Sequence, residues 1–280
     1  MMRERKVRCL GTGGFHDMAY VEWGDSENPD VLVCVHGLTR NGRDFDVLAD
    51  ALQKTYRIIC PDIVGRGRSD WLSDSAQYSP LQYSADVNAL IARLDVDQVD
   101  WVGTSMGGII GMVMAALPGT PIRRMVLNDV GPLLPKSALE RIGTYVSAPP
   151  VFDSLDGLEA YLRAVHAPFG DLSDAQWTQM ARFGNRPVEG GWTLGYDPGI
   201  ADAFKGPIAD IDMWGLWESI ACPVLTLRGQ SSDLLSPETV TAMTRRGPKA
   251  TLETISGCGH APALMDDDQI ALIRDWLGEN

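Results

Sequence analysis

Ser105 stands between Gly103 and Gly107 in the stretch DWVGTSMGGII, residues 100–110, a hydroxyl in a mostly apolar run. A serine at a helix start can be no more than an N-cap, and glycines there can be no more than a turn. Here the stretch ends an apolar strand-like run and opens an apolar helix-like one, the setting of a strand–turn–helix nucleophile elbow. So sharp a turn strains the serine backbone, and glycine two residues to either side removes side chains that would collide. The following helix would aim backbone N–H groups at any negative charge formed beside the hydroxyl. Serine is a poor nucleophile at neutral pH, so it needs a base, and the base needs an orienting acid.

Of the four histidines, His260 is the expected base, because SGCGHAP is a glycine-rich loop between the last strand-like run and the last helix. His16 falls in an early segment and His166 beside Ala167–Pro168; His36 closes the run VLVCVH and is read as a buried prop for the loop after it. Two carboxylates compete for the acid. Asp129 ends MVLND and precedes Val130–Gly131–Pro132, so it is expected to anchor backbone N–H groups. Asp233 lies in LRGQSSDLL, whose polar loop is long enough to lift it towards His260, and it gives the chain order Ser, Asp, His. Asp233 is therefore the expected acid. The N–H groups of Met106, after the nucleophile, and of Leu38, in the loop after VLVCVH, are the expected oxyanion donors.

Positioning these groups requires alternating strands and helices. Strand-like runs cover residues 31–36, 57–60, 99–103, 125–129, 224–227 and 251–255, most apolar throughout, as parallel strands covered on both faces are. Residues 18–23 read as an antiparallel edge strand. Helical patterns cover 45–52, 84–94, 106–117, 237–244 and 267–276. The pattern is that of a doubly wound, mostly parallel α/β sheet. It breaks over 131–221, where apolar positions keep helical spacing and four of the eight tryptophans gather. The expected organisation is a core of 1–130 and 222–280 with 131–221 inserted as a helical cap. The cap tryptophans Trp192 and Trp214, and Arg40 two residues past Leu38, are candidate substrate contacts, against packing for the tryptophans and solvation for the arginine.

The chain has 280 residues, 45% of them hydrophobic and 22% charged, with formal net charge −13. Such acidity argues against nucleic acid or an anionic membrane as partner. No run approaches the length needed to span a bilayer, and the basic start, followed by no apolar stretch, reads as no secretory signal. Five cysteines, an odd number without C-x-x-C spacing, fit a reducing cytoplasm better than disulfides or zinc.

VHGLTRNGRDF, PDIVGRGRSD, VGTSMGG, LRGQSSDLL and SGCGHAP occur in the order and spacing of the α/β-hydrolase superfamily, and the chain resembles its esterase- and lipase-like members with a helical cap. The resemblance spans nearly everything outside the cap. It implies Ser105 as nucleophile, Asp233 as acid, His260 as base, and Leu38 and Met106 as oxyanion donors. Some relatives place the acid one strand earlier, at the position of Asp129. It implies that Asp62 and Arg66 brace the site's edge. The expected reaction is hydrolysis of a small-molecule carboxylic ester or lactone through an acyl-serine, with no metal or organic cofactor. Carbon–carbon hydrolysis, perhydrolysis and a non-catalytic receptor are the rival readings; serine rather than aspartate at the elbow argues against dehalogenase and epoxide hydrolase chemistry. Oligomeric state is not legible.

Overall fold

The computed structural model describes residues 2–147 and 149–279. Eight strands form the central sheet: β1 (Arg3–Gly11), β2 (Gly14–Trp23), β3 (Val31–Val35), β4 (Arg57–Pro61), β5 (Val99–Thr104), β6 (Ile122–Asn128), β7 (Val224–Gly229) and β8 (Thr251–Ile255). They lie in the order β1-β2-β4-β3-β5-β6-β7-β8. From β4 to β8 every pairing is parallel, while β1–β2 and β2–β4 are antiparallel.

The apolar strands are explained by their two covered faces. In β3, Val31, Val33 and Val35 face one core with Leu90 and Ile110, whereas Leu32 and Cys34 face the other with Leu48 and Ile273. Helices α2 (Pro80–Leu94) and α3 (Met106–Ala115) cover the first face; α1 (Asp46–Leu52) and the C-terminal helix Asp267–Glu279 cover the second.

Two strand expectations change. Residues 18–23 belong to β2, which is interior, because β1 pairs with it along its whole length. The alternation of exposed charge with buried Val7 and Cys9 in RERKVRCLG was the available signal for β1. The segment between β6 and β7 is also not purely helical. It carries α4 (Lys136–Val146), α5 (Leu155–Val165), α6 (Asp174–Phe183) and α7 (Trp214–Ser219). It also carries a hairpin, Asn185–Val188 with Gly191–Leu194, and a short pair, Leu133–Leu134 with Ile211–Asp212. After β7 comes α8 (Pro237–Met243), so the C-terminal helix is α9. No helix of the described residues is long and apolar enough to cross a membrane.

Candidate active site

Ser105 sits between β5 and α3 with φ 51° and ψ −111°, a left-handed conformation costly for a residue with a side chain. The backbone there is over-determined. Ser105 N–H donates to Asn128 O at 3.0 Å on β6, and Ser105 O accepts from Gly108 N–H and Ile109 N–H. The flanking glycines are required by close approach. A Cβ on Gly103 would come within 2.5 Å of the Gly107 backbone, and one on Gly107 within 2.0 Å of Val35 O on β3. The expected collision thus falls on backbone around the serine, which packs α3 directly against the sheet.

His260 Nε2 lies 2.9 Å from Ser105 Oγ, and His260 Nδ1 lies 2.7 Å from Asp129 Oδ2. Asp129 is fully buried just past β6, itself at φ 56°. Its Oδ1 accepts from Gly229 N–H at 2.8 Å, and Oδ2 also accepts from Ser232 Oγ–H at 2.6 Å. An acceptor-only carboxylate with these donors fixes Nδ1 of His260 as the N–H donor and leaves the Nε2 lone pair for the serine hydroxyl.

The expected Asp233–His260 contact is corrected. Asp233 is half exposed and gripped by Arg141 of α4, Nε–Oδ2 2.5 Å and Nη2–Oδ1 3.0 Å. The loop after β7 turns tightly, with Ser232 N–H on Gly229 O and Ser231 N–H on Cys258 O. That turn sends Ser232 inward to Asp129 and Asp233 outward to the inserted segment. Asp129 bonds one backbone N–H, as expected of it, but its other oxygen meets the imidazole.

Leu38 and Met106 flank the serine from two sides. A Cβ on Gly37 would stand 3.9 Å from Ser105 Cβ, so the loop after β3 lies against the elbow. Met106 is the first residue of α3. Neither the Leu38 nor the Met106 N–H donates to a protein oxygen among the described residues. Arg66 ties the two together. Its side chain has no exposure, Nε donates to Leu38 O at 2.8 Å, and Nη2 reaches Met106 Sδ at 3.5 Å. Nη1 donates to Val64 O and Tyr83 Oη, so none of these bonds ends on a carboxylate. His36 is the expected buried prop: Nδ1–H donates to Gly37 O at 2.7 Å, and Nε2 accepts from Ile63 N–H at 2.9 Å. Burial drives its pKa down to about 3, so it is neutral. Asp62 braces the same region by accepting from Gly42 and Arg68 N–H.

A cavity of about 510 Å³ opens over Ser105 and His260, roofed by α4, α5 and the residues after it. Arg40 lines it but is 5% exposed and held by Asp44, Nε–Oδ2 2.9 Å and Nη2–Oδ1 2.6 Å, so it is neither solvated nor free. Trp192 and Trp214 do not line it, which corrects their reading as substrate contacts. Trp192 exchanges backbone hydrogen bonds with Phe152, and Trp214 stacks under Arg246 at 3.9 Å. His166, passed over in the sequence because nothing but Ala-Pro marks it, does line the cavity.

Among the described residues, Cys9, His16 and Asp86 bring donor atoms of metal-ligand type within 4.8 Å of one another. They lie between β1, β2 and α2 and line no part of the cavity. His16 Nε2 is already bonded to Asp86 Oδ2 at 2.9 Å, and burial first, then Asp86, pushes the Cys9 thiol up to about 12. The thiol is therefore protonated at neutral pH.

A sequence profile described as alpha/beta hydrolase fold matches residues 30–267. The chain is 47% identical to a 3-hydroxybutyrate-oligomer hydrolase of Cupriavidus necator, over 97% of this chain and 96% of that protein. Among solved structures it is similar to a putative hydrolase from Rickettsia typhi, with TM-score 0.93, 32% identity and coverage of 100% and 99% of the two chains. An alpha/beta hydrolase from Novosphingobium aromaticivorans matches with TM-score 0.87 and 35% identity, again over 100% of this chain and 99% of that one.

Proposed function

The chain belongs to the α/β-hydrolase family, and within it we propose a serine hydrolase that cleaves carboxylic esters of hydroxy acids, using Ser105, His260 and Asp129. The observation that carries this reading is one imidazole bonded at Nε2 to Ser105 Oγ and at Nδ1 to a buried carboxylate. In the forward step Ser105 Oγ attacks the ester carbonyl carbon while His260 Nε2 takes the hydroxyl proton. The carbonyl oxygen, now negative, is held by the Leu38 and Met106 N–H groups, with the Arg66 cation behind both. Collapse breaks the bond to the alkoxide, which leaves as alcohol with the proton from His260. Water, deprotonated by the same imidazole, then attacks the acyl-serine and releases the acid. Asp129 holds the tautomer and stabilises the imidazolium formed twice in the cycle. No step needs a metal or organic cofactor.

The kinship with a 3-hydroxybutyrate-oligomer hydrolase supports the substrate class, because such oligomers are joined by ester bonds between hydroxy acids. The inserted segment serves as a cap over the acyl pocket. Five free thiols support a reducing compartment such as the cytoplasm.

The test is release of 3-hydroxybutyrate from its linear dimer, followed for the wild type and for Ser105→Ala. We expect turnover by the wild type and loss of nearly all of it in the variant, with unchanged circular dichroism. Retention of more than a few per cent of turnover by folded Ser105→Ala contradicts the serine mechanism.

A further inference from the structure

We propose that His166 is the residue that recognises the substrate's acyl chain, its imidazole hydrogen-bonding a hydroxyl carried by the acyl half of the ester. The inference rests on the ester-hydrolase reading above and adds a specificity determinant to it.

His166 caps the end of α5, with its N–H on Leu162 O at 2.8 Å, and its ring stacks on Phe169 at 4.4 Å between centroids. It is 9% exposed, and that exposure is to the cavity over Ser105. Among the described residues neither ring nitrogen has a hydrogen-bond partner, and neither is sealed from the cavity, so both are open to a ligand there. The backbone two residues on is fixed to the loop of the base: Pro168 O accepts Gly259 N–H at 2.7 Å, and Phe169 O accepts Ala263 N–H at 3.1 Å. An imidazole stacked on Phe169, with both ring nitrogens free of protein partners, is thus held in the same cavity as Ser105 and His260.

Charge decides what it binds. Burial first, then the nearby Arg40 and His260, push the His166 pKa well below the ordinary histidine value, so the ring is neutral. A neutral imidazole offers one N–H donor and one lone pair, the complement of a hydroxyl. The cationic groups of the cavity wall are each already matched: Arg40 by Asp44, and Arg141 by Asp233. The wall therefore carries little surplus charge to draw a carboxylate. In an ester of two hydroxy acids the free carboxylate is on the alcohol half and the free hydroxyl on the acyl half. The neutral imidazole selects the hydroxyl end.

The test compares p-nitrophenyl 3-hydroxybutyrate with p-nitrophenyl butyrate, which share a leaving group and differ by one hydroxyl. We expect the wild type to favour the hydroxylated ester in kcat/KM. His166→Phe, which keeps a ring to stack on Phe169, should cut that preference about tenfold or more, the value of a hydrogen bond whose partner is left buried and unpaired. His166→Gln, which restores a donor and an acceptor, should recover part of it. Equal losses on both esters in both variants would make His166 a packing residue and overturn the proposal, as would an undiminished preference in His166→Phe. If the wild type turns over neither ester and Ser105→Ala behaves identically, the hydrolase reading fails, and the proposal with it. Should His166→Phe not fold, His166→Leu, which also lacks a donor and an acceptor, decides by the same ratio.

Discussion

Arg66 is a guanidinium without exposure whose hydrogen bonds end on two carbonyls, a phenol and a thioether. Burying an unmatched cation costs several kcal/mol, only partly offset by such bonds and by the Tyr83 ring 4.9 Å away. In the proposed mechanism its place behind Leu38 and Met106 gives that cost a use, since a negative oxygen would form there only during reaction. Arg66→Met should lower kcat about tenfold to hundredfold, less than loss of an oxyanion donor itself, with a smaller change in KM. Affinity for a trifluoromethyl ketone, whose serine adduct carries the oxyanion, should fall in parallel; an unaltered affinity would make Arg66 structural only. His36 governs acid stability. Its folded pKa, about 3, lies below the unfolded value near 6.5, so the unfolded chain binds the extra proton. Its contribution is therefore complete above about pH 6.5 and is lost as pH falls towards 3. Thermal unfolding from pH 7 to pH 4 should show a smaller loss of Tm in His36→Gln than in the wild type.

At the scale of elements, the elbow and the Arg141–Asp233 bridge carry different kinds of strain and restraint. Gly107→Ala must separate α3 from β3, because its Cβ would meet the Val35 carbonyl carbon at 2.6 Å as well as the oxygen. We expect a loss of about 3 kcal/mol or more in urea unfolding. Gly278→Ala in α9, with nothing within 4 Å of its Cβ, should be neutral or stabilising. Arg141–Asp233 joins α4 to the loop after β7 at the cavity, with both side chains about half exposed. A pair so exposed contributes at most about 1 kcal/mol. Arg141→Ala should accordingly leave Tm nearly unmoved while raising KM more than it lowers kcat, because the roof of the cavity loses its tether. A large fall in Tm with KM unchanged would show the bridge to be structural rather than positional.

Across the molecule, what the sequence discloses is what local pattern determines. The parallel strands are apolar on both faces because β3, β5 and β6 are buried on both, and Ser105 and His260 are marked by glycines that their loops need. β1 was hidden because Glu4, Arg5, Lys6 and Arg8 are exposed charges, and only Val7 and Cys9 betray the sheet. The expected Asp233–His260 contact is missing for a geometric reason. Spacing shows that Asp129 and Asp233 both follow strands, but not which way the turn at Gly229–Ser232 rotates, and that rotation sends Ser232 rather than Asp233 to the buried side. Trp192 and Trp214 were misread because composition cannot distinguish a roof from its lining. The motif places Arg66 at the site's edge, but its partners Leu38, Tyr83 and Met106, like the residues that share the cavity with His166, are distant in sequence, and no local pattern records them. The proposed mechanism depends on Asp129, and its most direct measurement is kcat on p-nitrophenyl butyrate for Asp129→Asn and Asp233→Asn side by side. Loss of the acid in a serine triad costs about 10⁴ in turnover, so Asp129→Asn should fall by that order while Asp233→Asn stays within about fivefold of wild type. With both variants folded, a greater loss in Asp233→Asn would contradict the account.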